Sequence, residues 1–318
     1  MRILVTGASG FVGRALCAEL LRQKHVAVAV VRDENTELGV SIETATVCSI
    51  EHNTDWSATL RYVDVVIHLA ARVHMMSDHA DDPLAEFRKV NVACTLNLAM
   101  QAAKACVKRL IFISSVKVIG EHTVVGIALT EESLVNPQDA YSISKLEAEQ
   151  GLTLIAQQTG MEVVVIRPPL VYGAGVKANF ATMMRMVKLC FPLPFGAIYN
   201  TRSFVYIDNL VSLILKCIDH PAAANQVFLV SDGNDLSTTE LLRVCANALG
   251  VKSNLVPVPQ KWIEIFAALI GKKEVAQRLC GNLQVDITKA HTLLDWTPPI
   301  TVEEGLNATA ISFKKVNK

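Results

Sequence analysis

The sequence predicts an α/β fold in which a doubly wound parallel sheet is followed by a smaller, mostly helical part. Three observations carry this prediction. Short β-branched runs alternate with helical patterns as far as Arg167, three glycines follow the first run, and prolines then break the pattern. Strand and helix alternating at this spacing are typical of parallel βαβ units. We therefore divide the chain into a sheet domain, residues 1–169, and a substrate-binding part, residues 170–318, with some segments that return to the sheet.

Each element follows from its local pattern. Strands are predicted at residues 2–5, 26–31, 45–47, 63–68, 109–114, 162–167 and, late in the chain, 226–230. Helices are predicted at residues 12–23, 83–105 and 140–159. Most of the chain beyond the prolines at 192 and 194 has helical character.

The composition limits the classes of function. The 318 residues are 51% apolar and carry 30 basic and 30 acidic side chains, so neither a basic excess nor a polybasic run favours nucleic acid or an anionic membrane. The longest apolar runs, such as 26–31 and 265–270, fall far short of the roughly 20 residues of a spanning helix. No signal-peptide pattern follows Met1, and the eight cysteines form no CxxC. We expect a cytoplasmic protein with no nucleic-acid or membrane partner.

Gly7, Gly10 and Gly13 lie between the first strand and the first helix. In a dinucleotide fingerprint the first glycine permits the tight turn, the second lets the pyrophosphate approach the backbone, and the third lets the helix pack closely. The phosphates then lie at a helix N-terminus, which favours anions. A glycine turn without a ligand is the alternative, but its position directly after a strand favours a Rossmann-like NAD(P)-binding domain over residues 1–169.

The residues after the second strand bear on the choice of cofactor. Arg32 and Asp33 follow Val31. An arginine here accommodates the 2′-phosphate of NADP, whereas a carboxylate accepts from the 2′-hydroxyl of NAD. Because Arg32 comes first, the prediction leans slightly to NADP, and NAD held by Asp33 remains nearly as well supported.

Three further residues suggest proton transfer. Tyr141 and Lys145 are spaced i, i+4 and share one helix face. A nearby ammonium, together with a positive nicotinamide ring, would lower the pKa of the phenol and make it a proton shuttle. Ser114 and Ser115 end a strand at the carboxyl edge, where the Ser115 hydroxyl can reach a substrate oxygen. A solvated lysine and a serine that caps a strand are the alternatives for the separate pieces.

Taken in order, these motifs resemble the extended short-chain dehydrogenase/reductase superfamily, in its nucleotide-sugar epimerase/dehydratase branch. The resemblance covers almost the whole chain. It rests on TGASGFVG (6–13), HLAA (68–71), NVACT (91–95), the serines 114 and 115, YSISK (141–145), RPPLVYG (167–173) and RSFVYID (202–208). The sequence looks closest to the 4-epimerases and 4-ketoreductases that act on UDP-N-acetylhexosamines in surface-polysaccharide synthesis.

The resemblance implies site residues. Ser115, Tyr141 and Lys145 would form the catalytic triad, with Asn91 holding the active-site helix. Cofactor contacts are implied for Gly7, Gly10, Phe11, Val12, Gly13, Arg32, Ser49, Ile50, Leu69, Ala70, Ala71, Tyr141, Lys145 and Pro168. Substrate contacts are implied for Ser115, Lys117, Asn179, Arg202 and Arg278, and an arginine fork suits a diphosphate. Departures from the family pattern occur at Ser49, Lys117 and Ile119.

The implied reaction moves a hydride between the nicotinamide and C4 of a UDP-linked sugar while Tyr141 moves the hydroxyl proton. NADPH exchanged in each cycle would reduce a 4-keto sugar, and Arg32 tilts the prediction slightly that way. The alternative is a UDP-glucose or UDP-N-acetylglucosamine 4-epimerase with tightly bound NAD, and a non-catalytic dinucleotide sensor is a third candidate. A dehydratase is disfavoured because Val116 and Lys117 replace an acidic pair. In the family, helices 83–105 and 140–159 pair across a homodimer, and the sequence alone equally allows them to pack on their own sheet.

A metal site is not expected. Histidines and carboxylates cluster early in the chain, at His68, His74, Asp78, His79, Asp81 and Asp82, but their spacing fits no common zinc pattern. We expect His68 to be packed near the cofactor and the acidic run to be a solvated loop before residue 83.

Overall fold

The computed structural model describes residues 1–39, 41–73, 82–176 and 178–316, except for the side chains of 178, 179 and 316. Its strands are β1 (Arg2–Thr6), β2 (Val26–Val31), β3 (Glu43–Thr46), β4 (Val65–His68), β5 (Arg109–Ile113), β6 (Glu162–Arg167), β7 (Leu170–Tyr172), β8 (Phe204–Tyr206) and β9 (Val227–Leu229). Seven of them form one parallel sheet in the order β3-β2-β1-β4-β5-β6-β9, and β7 pairs with β8.

The helices are α1 (Phe11–Arg22), α2 (Pro83–Phe87), α3 (Cys94–Lys104), α4 (Ala140–Thr159), α5 (Ala178–Lys188), α6 (Ile207–Asp219), α7 (Thr238–Leu249), α8 (Gln260–Leu269), α9 (Lys273–Cys280), α10 (Thr288–Leu294) and α11 (Val302–Val316). A π-helical segment, Arg88–Ala93, joins α2 to α3. Helices α1 and α6 cover one face of the sheet, and α3 and α4 cover the other.

The two faces of the sheet explain why the strands are apolar throughout. On β1, Ile3 and Val5 belong to the core under α1 and α6, whereas Leu4 belongs to the core under α3 and α4. Side chains alternate between faces along a strand, so burial of both faces requires continuous apolar runs. The expected doubly wound α/β fold is confirmed.

The strand order determines where a ligand can bind. The chain runs outward from β1 through β2 to β3, and then crosses back so that β4 lies on the other side of β1. Such a reversal opens a crevice at the carboxyl ends of the strands. Thr6, at the end of β1, is in register with His68 of β4, which is in turn in register with Phe112 of β5. These strand ends therefore lie side by side at the crevice.

The structure corrects some expected boundaries. The helix expected at 83–105 is divided into α2, the π segment and α3. Strands β7 and β8, of three residues each, were not predicted. The late strand is confirmed as β9, which joins the main sheet beside β6. The division of the chain at residues 169 and 170 stays a prediction.

A buried carboxylate fixes the C-terminal part against the sheet. Asp232, three residues after β9, accepts hydrogen bonds from the backbone N–H of Tyr206 at 2.7 Å and the side chain of Asn209 at 2.7 Å. Its other oxygen accepts from the Tyr172 hydroxyl at 2.7 Å. Burial raises the pKa of this carboxyl, and the three donors oppose that shift. Strands β7 and β8 and helix α6 are thereby tied to one point.

Candidate active site

The glycine turn after β1 has the geometry that a dinucleotide needs. Gly7 has φ of +69°, and a Cβ there would lie 2.8 Å from the backbone nitrogen of Ala70. A Cβ on Gly13 would lie 2.2 Å from the carbonyl oxygen of Gly7, so α1 packs directly on the turn. By contrast, a Cβ on Gly10 would meet, among the described atoms, only the Gly7 oxygen at 3.1 Å. Space therefore remains above Gly10 for a ligand.

The N-terminus of α1 is available to an anion. Gly10 caps the helix without a side-chain hydrogen bond, and the first turn holds no acidic residue. The first N–H groups of a helix lack partners within it, and its dipole favours negative charge there. The residues present therefore fit the pyrophosphate of a dinucleotide.

The expected cofactor residues line the carboxyl edge of the sheet. Phe11 and Val12 begin α1 and are half-buried, as are Leu69, Ala70 and Ala71 after β4. The others follow the ends of β2, β3 and β6 at Arg32, Ser49, Ile50 and Pro168, where Arg32 and Ser49 are exposed. All of them come from the edge at which the crevice opens.

The first two turns of α4 bring Tyr141 and Lys145 to the end of β5. Lys145 is 2% exposed, and its Nζ donates a hydrogen bond to the carbonyl oxygen of Ile113 at 2.8 Å. The same Nζ lies 6.0 Å from the ring centroid of Tyr141 and 4.4 Å from that of Phe112. Ser115 follows Ile113 by two residues, and its Oγ accepts from the backbone N–H of Lys117 at 3.3 Å. The three expected catalytic residues thus converge on one strand end.

Burial dominates the ionisation of this group. It lowers the pKa of Lys145 to about 7, against an opposing effect of Glu149. Burial and then the Asp139 carboxylate raise the pKa of Tyr141 to about 12. In the chain by itself, desolvation of the phenolate is the largest influence on this pKa, and the lowering expected from Lys145 and the nicotinamide ring together stays a prediction.

Asn91 connects two of the elements around the site. Its Oδ1 accepts from the backbone N–H of Arg72 at 2.8 Å, and its Nδ2 donates to the Arg72 carbonyl and to Ser144 Oγ, each at 3.0 Å. Ser144 in turn donates to the carbonyl oxygen of Tyr141 at 2.7 Å. Asn91 lies in the π segment, whose wider turn is frequent at functional sites. It therefore holds the loop after β4 against the first turn of α4.

His68 is packed, as expected. Its ring is 1% exposed, contacts the hydroxyls of Thr6 at 2.6 Å and Thr95 at 2.9 Å, and stacks on Phe112. Burial, and secondarily the charge of Lys145, lowers its pKa to about 3, so the imidazole is neutral. His74, Asp78, His79 and Asp81 lie outside the described residues, and Asp82 caps α2 by accepting from Ala85 N at 3.0 Å. The absence of a metal stays an expectation.

A cleft of about 640 Å³ lies beside the start of α4 and the segment that follows Ser115. Its walls are the segment after Ser115, the loop before α4, and α9. The lining residues are Ile119, Gly120, Glu121, His122, Asn136, Gln138, Asp139, Glu274, Gln277 and Arg278. Of the expected substrate residues, Arg278 lines the cleft directly and is 41% exposed at its side chain.

Two other expected substrate residues border the cleft. Lys117 Nζ donates to Glu121 at 2.6 Å and to Asp139 at 2.8 Å, so the ammonium is held by two carboxylates of the wall. Arg202 donates to the Gly281 carbonyl at 2.8 Å, and burial lowers its pKa. Burial first, and then Arg202 and Arg278, lower the pKa of His122, which places both cations near the cleft.

Asn179 lies in α5, and its side chain is outside the described part of the chain. The sequence analysis missed Glu121, which holds Lys117, and Asp139, which caps α4 through Ser142 N at 2.7 Å. The spacing Asp-x-x-Ser before a helix is a capping signature, so Asp139 was open to detection. No sequence signal marks Glu121.

The glycine turn after β1 fits a dinucleotide and lies at the same sheet edge as a buried lysine and a tyrosine at the end of β5. This combination defines an enzyme of the extended short-chain dehydrogenase type. The chain belongs to the NAD dependent epimerase/dehydratase family, whose model matches residues 3–231. It is 48% identical over 318 residues to a UDP-glucose 4-epimerase of Vibrio cholerae, covering 99% of this chain and 96% of the relative.

Solved structures agree on the fold. A UDP-N-acetylglucosamine 4-epimerase from Bacillus cereus has a TM-score of 0.81 at 19% identity, covering 99% of each chain. A UDP-glucuronic acid 4-epimerase from the same species, in complex with NAD, has a TM-score of 0.78 at 24% identity over 100% of each chain. The expected family is confirmed, and the expected NAD(P)-dependent nucleotide-sugar enzyme is confirmed as NAD-dependent, whereas the lean to NADP finds no support.

Proposed function

We propose that this protein is a UDP-hexose 4-epimerase that retains NAD. The convergence of Tyr141, Lys145 and Ser115 at the end of β5, beside the uncapped N-terminus of α1, carries the proposal. The 48% identity to a UDP-glucose 4-epimerase over nearly the full length supports the choice of reaction. A role in surface-polysaccharide synthesis belongs to the same proposal.

Each residue has a distinct part in the reaction. NAD, when bound, supplies a hydride acceptor and a positively charged ring. Tyr141 takes the proton of the sugar 4-hydroxyl and gives it back on the return step. Ser115 hydrogen-bonds the same oxygen. The backbone N–H of Lys117 donates to a lone pair of Ser115 Oγ at 3.3 Å, so the hydroxyl proton of the serine is directed away from Lys117. Lys145, anchored on Ile113, places a cation near the phenol and stabilises the phenolate as it forms.

The substrate's diphosphate is assigned to the basic side of the cleft. Arg202 and Arg278 lie near His122, and a guanidinium fork matches two phosphate oxygens. The sugar then extends toward Ser115, with Lys117, Glu121 and Asp139 along its wall. Asn179 is proposed to contact the diphosphate as well.

A 4-ketoreductase with exchangeable NADPH is the second candidate. The exposed Arg32 at the carboxyl end of β2 favours it, since it forms no ion pair among the described residues. Asp33 is the carboxylate that would accept a hydrogen bond from a ribose hydroxyl of NAD, but here it accepts one from the backbone N–H of Asn35 at 2.9 Å. That turn is on the surface, so Asp33 can turn outward to meet NAD.

A homodimer through α3 and α4 is proposed. Met100 on α3 is 38% exposed and Leu154 on α4 is 57% exposed, which leaves apolar surface for a partner copy. Light scattering on the purified protein tests this, since a monomer at micromolar concentration would contradict it. Replacement of Leu154 by Lys is expected to favour the monomer.

The decisive experiment starts with extraction of the bound cofactor. Heat-denatured protein is expected to release NAD, and fresh protein to interconvert UDP-glucose and UDP-galactose, or their N-acetylamino forms, by proton NMR. Tyr141→Phe should keep the dinucleotide while turnover falls about 10²–10⁴-fold. Tyr62→Phe, at a 90% exposed tyrosine, is the matched control. Release of no dinucleotide, with NADPH-dependent reduction of a 4-keto sugar, would establish the reductase, and full turnover in Tyr141→Phe would refute both.

A further inference from the structure

Helix α8 carries an apolar stripe that faces solvent. Trp262, Ile265, Phe266 and Leu269 follow the spacing i, i+3, i+4, i+7, which places them on one side of the helix. Their exposed fractions are 65, 53, 65 and 79%, and Ile270, directly after the helix, is 51% exposed. In a globular protein such a stripe normally faces the core. Here the described part of the chain leaves it uncovered.

Cations flank this stripe at both ends. Lys261 lies in the first turn of α8, and Lys272 and Lys273 follow its end. All three are exposed, and none forms an ion pair with a described residue. The nearby acidic side chains point to other partners: Glu264 accepts from Gln260 at 2.8 Å, and Glu274 lies 3.7 Å from Arg278.

We propose that this surface, residues 261–273, docks the protein on an anionic lipid bilayer. The apolar stripe would enter the boundary between headgroups and acyl chains, and the lysines at both ends would meet the lipid phosphates. Tryptophan beside lysine suits this boundary, because the indole is apolar with one polar N–H. The contact is peripheral, since none of the helices described could cross a bilayer. The sequence analysis expected no membrane partner because the chain has no polybasic run and no apolar run long enough to span a bilayer.

The surface is continuous with the candidate active site. Helix α9 begins at Lys273 and supplies Glu274, Gln277 and Arg278 to the cleft wall. A bilayer bound at α8 would therefore lie next to the cleft side to which the diphosphate is assigned. The docking proposal itself does not depend on the proposed function, because vesicle binding is measured without turnover.

Co-sedimentation tests the proposal. The full chain is mixed with vesicles of phosphatidylcholine alone, or with vesicles in which about a third of the lipid is anionic phosphatidylglycerol, because basic segments bind anionic lipid surfaces. We expect pelleting with the anionic vesicles and loss of pelleting at high salt, because salt screens exposed charges.

Tryptophan fluorescence provides an independent measurement. The chain has three tryptophans, and Trp56 and Trp296 are 0 and 4% exposed. A blue shift on vesicle addition would therefore report on Trp262. The shift should be absent from Trp262→Phe, which keeps an apolar side chain for binding.

Two variants separate the contributions. Lys272→Gln with Lys273→Gln should lower the coefficient for partition onto anionic vesicles about 25-fold, because each lysine contributes about a fivefold effect. Phe266→Ser with Leu269→Ser should lower it more than about tenfold. The matched controls are Lys104→Gln with Lys108→Gln, and Leu134→Ser, at exposed sites elsewhere, which should bind as the parent chain does.

Three outcomes would overturn the proposal. One is no pelleting with anionic vesicles, and the second is unchanged pelleting of both variants. The third combines two observations: the parent chain binds no vesicles, and light scattering shows a lower oligomeric mass for the variant Phe266→Ser with Leu269→Ser. That result would make the stripe an interface between copies of the chain.

Discussion

Replacement of Lys145 by Met should stabilise the dinucleotide-free protein at neutral pH while it abolishes turnover. The side chain of Lys145 is 2% exposed, and burial lowers its pKa from 10.5 to about 7. The dinucleotide-free folded chain therefore binds this proton much more weakly than the unfolded chain does, and near pH 7 the ammonium and the amine are about equally populated. Methionine has similar length and no charge, so the cost of desolvating that charge disappears.

The pH dependence follows from proton binding in the two states. Below pH 7 both states hold the lysine proton, and the folded state bears the full cost, about 5 kcal/mol for this shift. Between pH 7 and 10.5 the unfolded state binds more protons, so the stability of the parent protein rises with pH. The advantage of Lys145→Met should therefore shrink by about 3 kcal/mol between pH 7 and pH 9.5.

Urea unfolding of both proteins at several pH values measures this difference, after bound dinucleotide has been removed. The absolute difference also includes the lost hydrogen bond to Ile113, worth about 1.5–3 kcal/mol, so the slope with pH is the test. Lys104→Met, at an exposed lysine, is the control and should show no slope. A stability difference that is constant from pH 7 to 9.5 would refute the argument that Lys145 is buried with a lowered pKa.

Three shorter predictions follow from the same region. Gly10→Ala should weaken dinucleotide binding in calorimetry with little change in stability, whereas Gly13→Ala, whose Cβ would lie 2.2 Å from an oxygen, should also lose about 1–3 kcal/mol of unfolding free energy. Asn91→Ala should lose about 2–4 kcal/mol in urea unfolding, since three hydrogen bonds are removed. Lys117→Met should shift the ascending, acid-side limb of the pH–rate profile to higher pH, because Tyr141 takes the sugar proton only when it is ionised and Asp139 then raises its pKa without compensation; an unchanged profile would contradict this.

Local pattern was sufficient for much of the fold and for the position of the site. The strands at 26–31 and 162–167 and the helix at 140–159 have the bounds that were predicted. Parallel strands align their carboxyl ends, so a glycine turn after β1, a serine after β5 and an i, i+4 pair at the start of α4 had to meet at one edge. The spatial convergence of Ser115, Tyr141 and Lys145 follows from that geometry.

Features that depend on packing were not accessible in the same way. The π turn places Asn91 within hydrogen-bond distance of Arg72 and Ser144, which are distant in sequence. The stripe on α8 has the pattern of a buried helix face, and the pattern does not say whether another element covers it. Glu121 acquires its role only because the segment after β5 brings it within 2.6 Å of Lys117.

The ionisation of Tyr141 depends on burial and on a carboxylate that residue spacing does not reveal. The sequence analysis expected Lys145 and a bound nicotinamide ring together to lower the pKa of the phenol, and this stays a prediction; in the chain by itself, burial and the Asp139 carboxylate raise that pKa. Asp139 is needed at that position, because its side chain caps α4 and so sets the helix that carries both catalytic groups. Lys117, held 2.8 Å from Asp139, offsets the same charge. The carboxylate that caps the catalytic helix therefore also raises the pKa of Tyr141, and the Lys117 ammonium beside it offsets that negative charge.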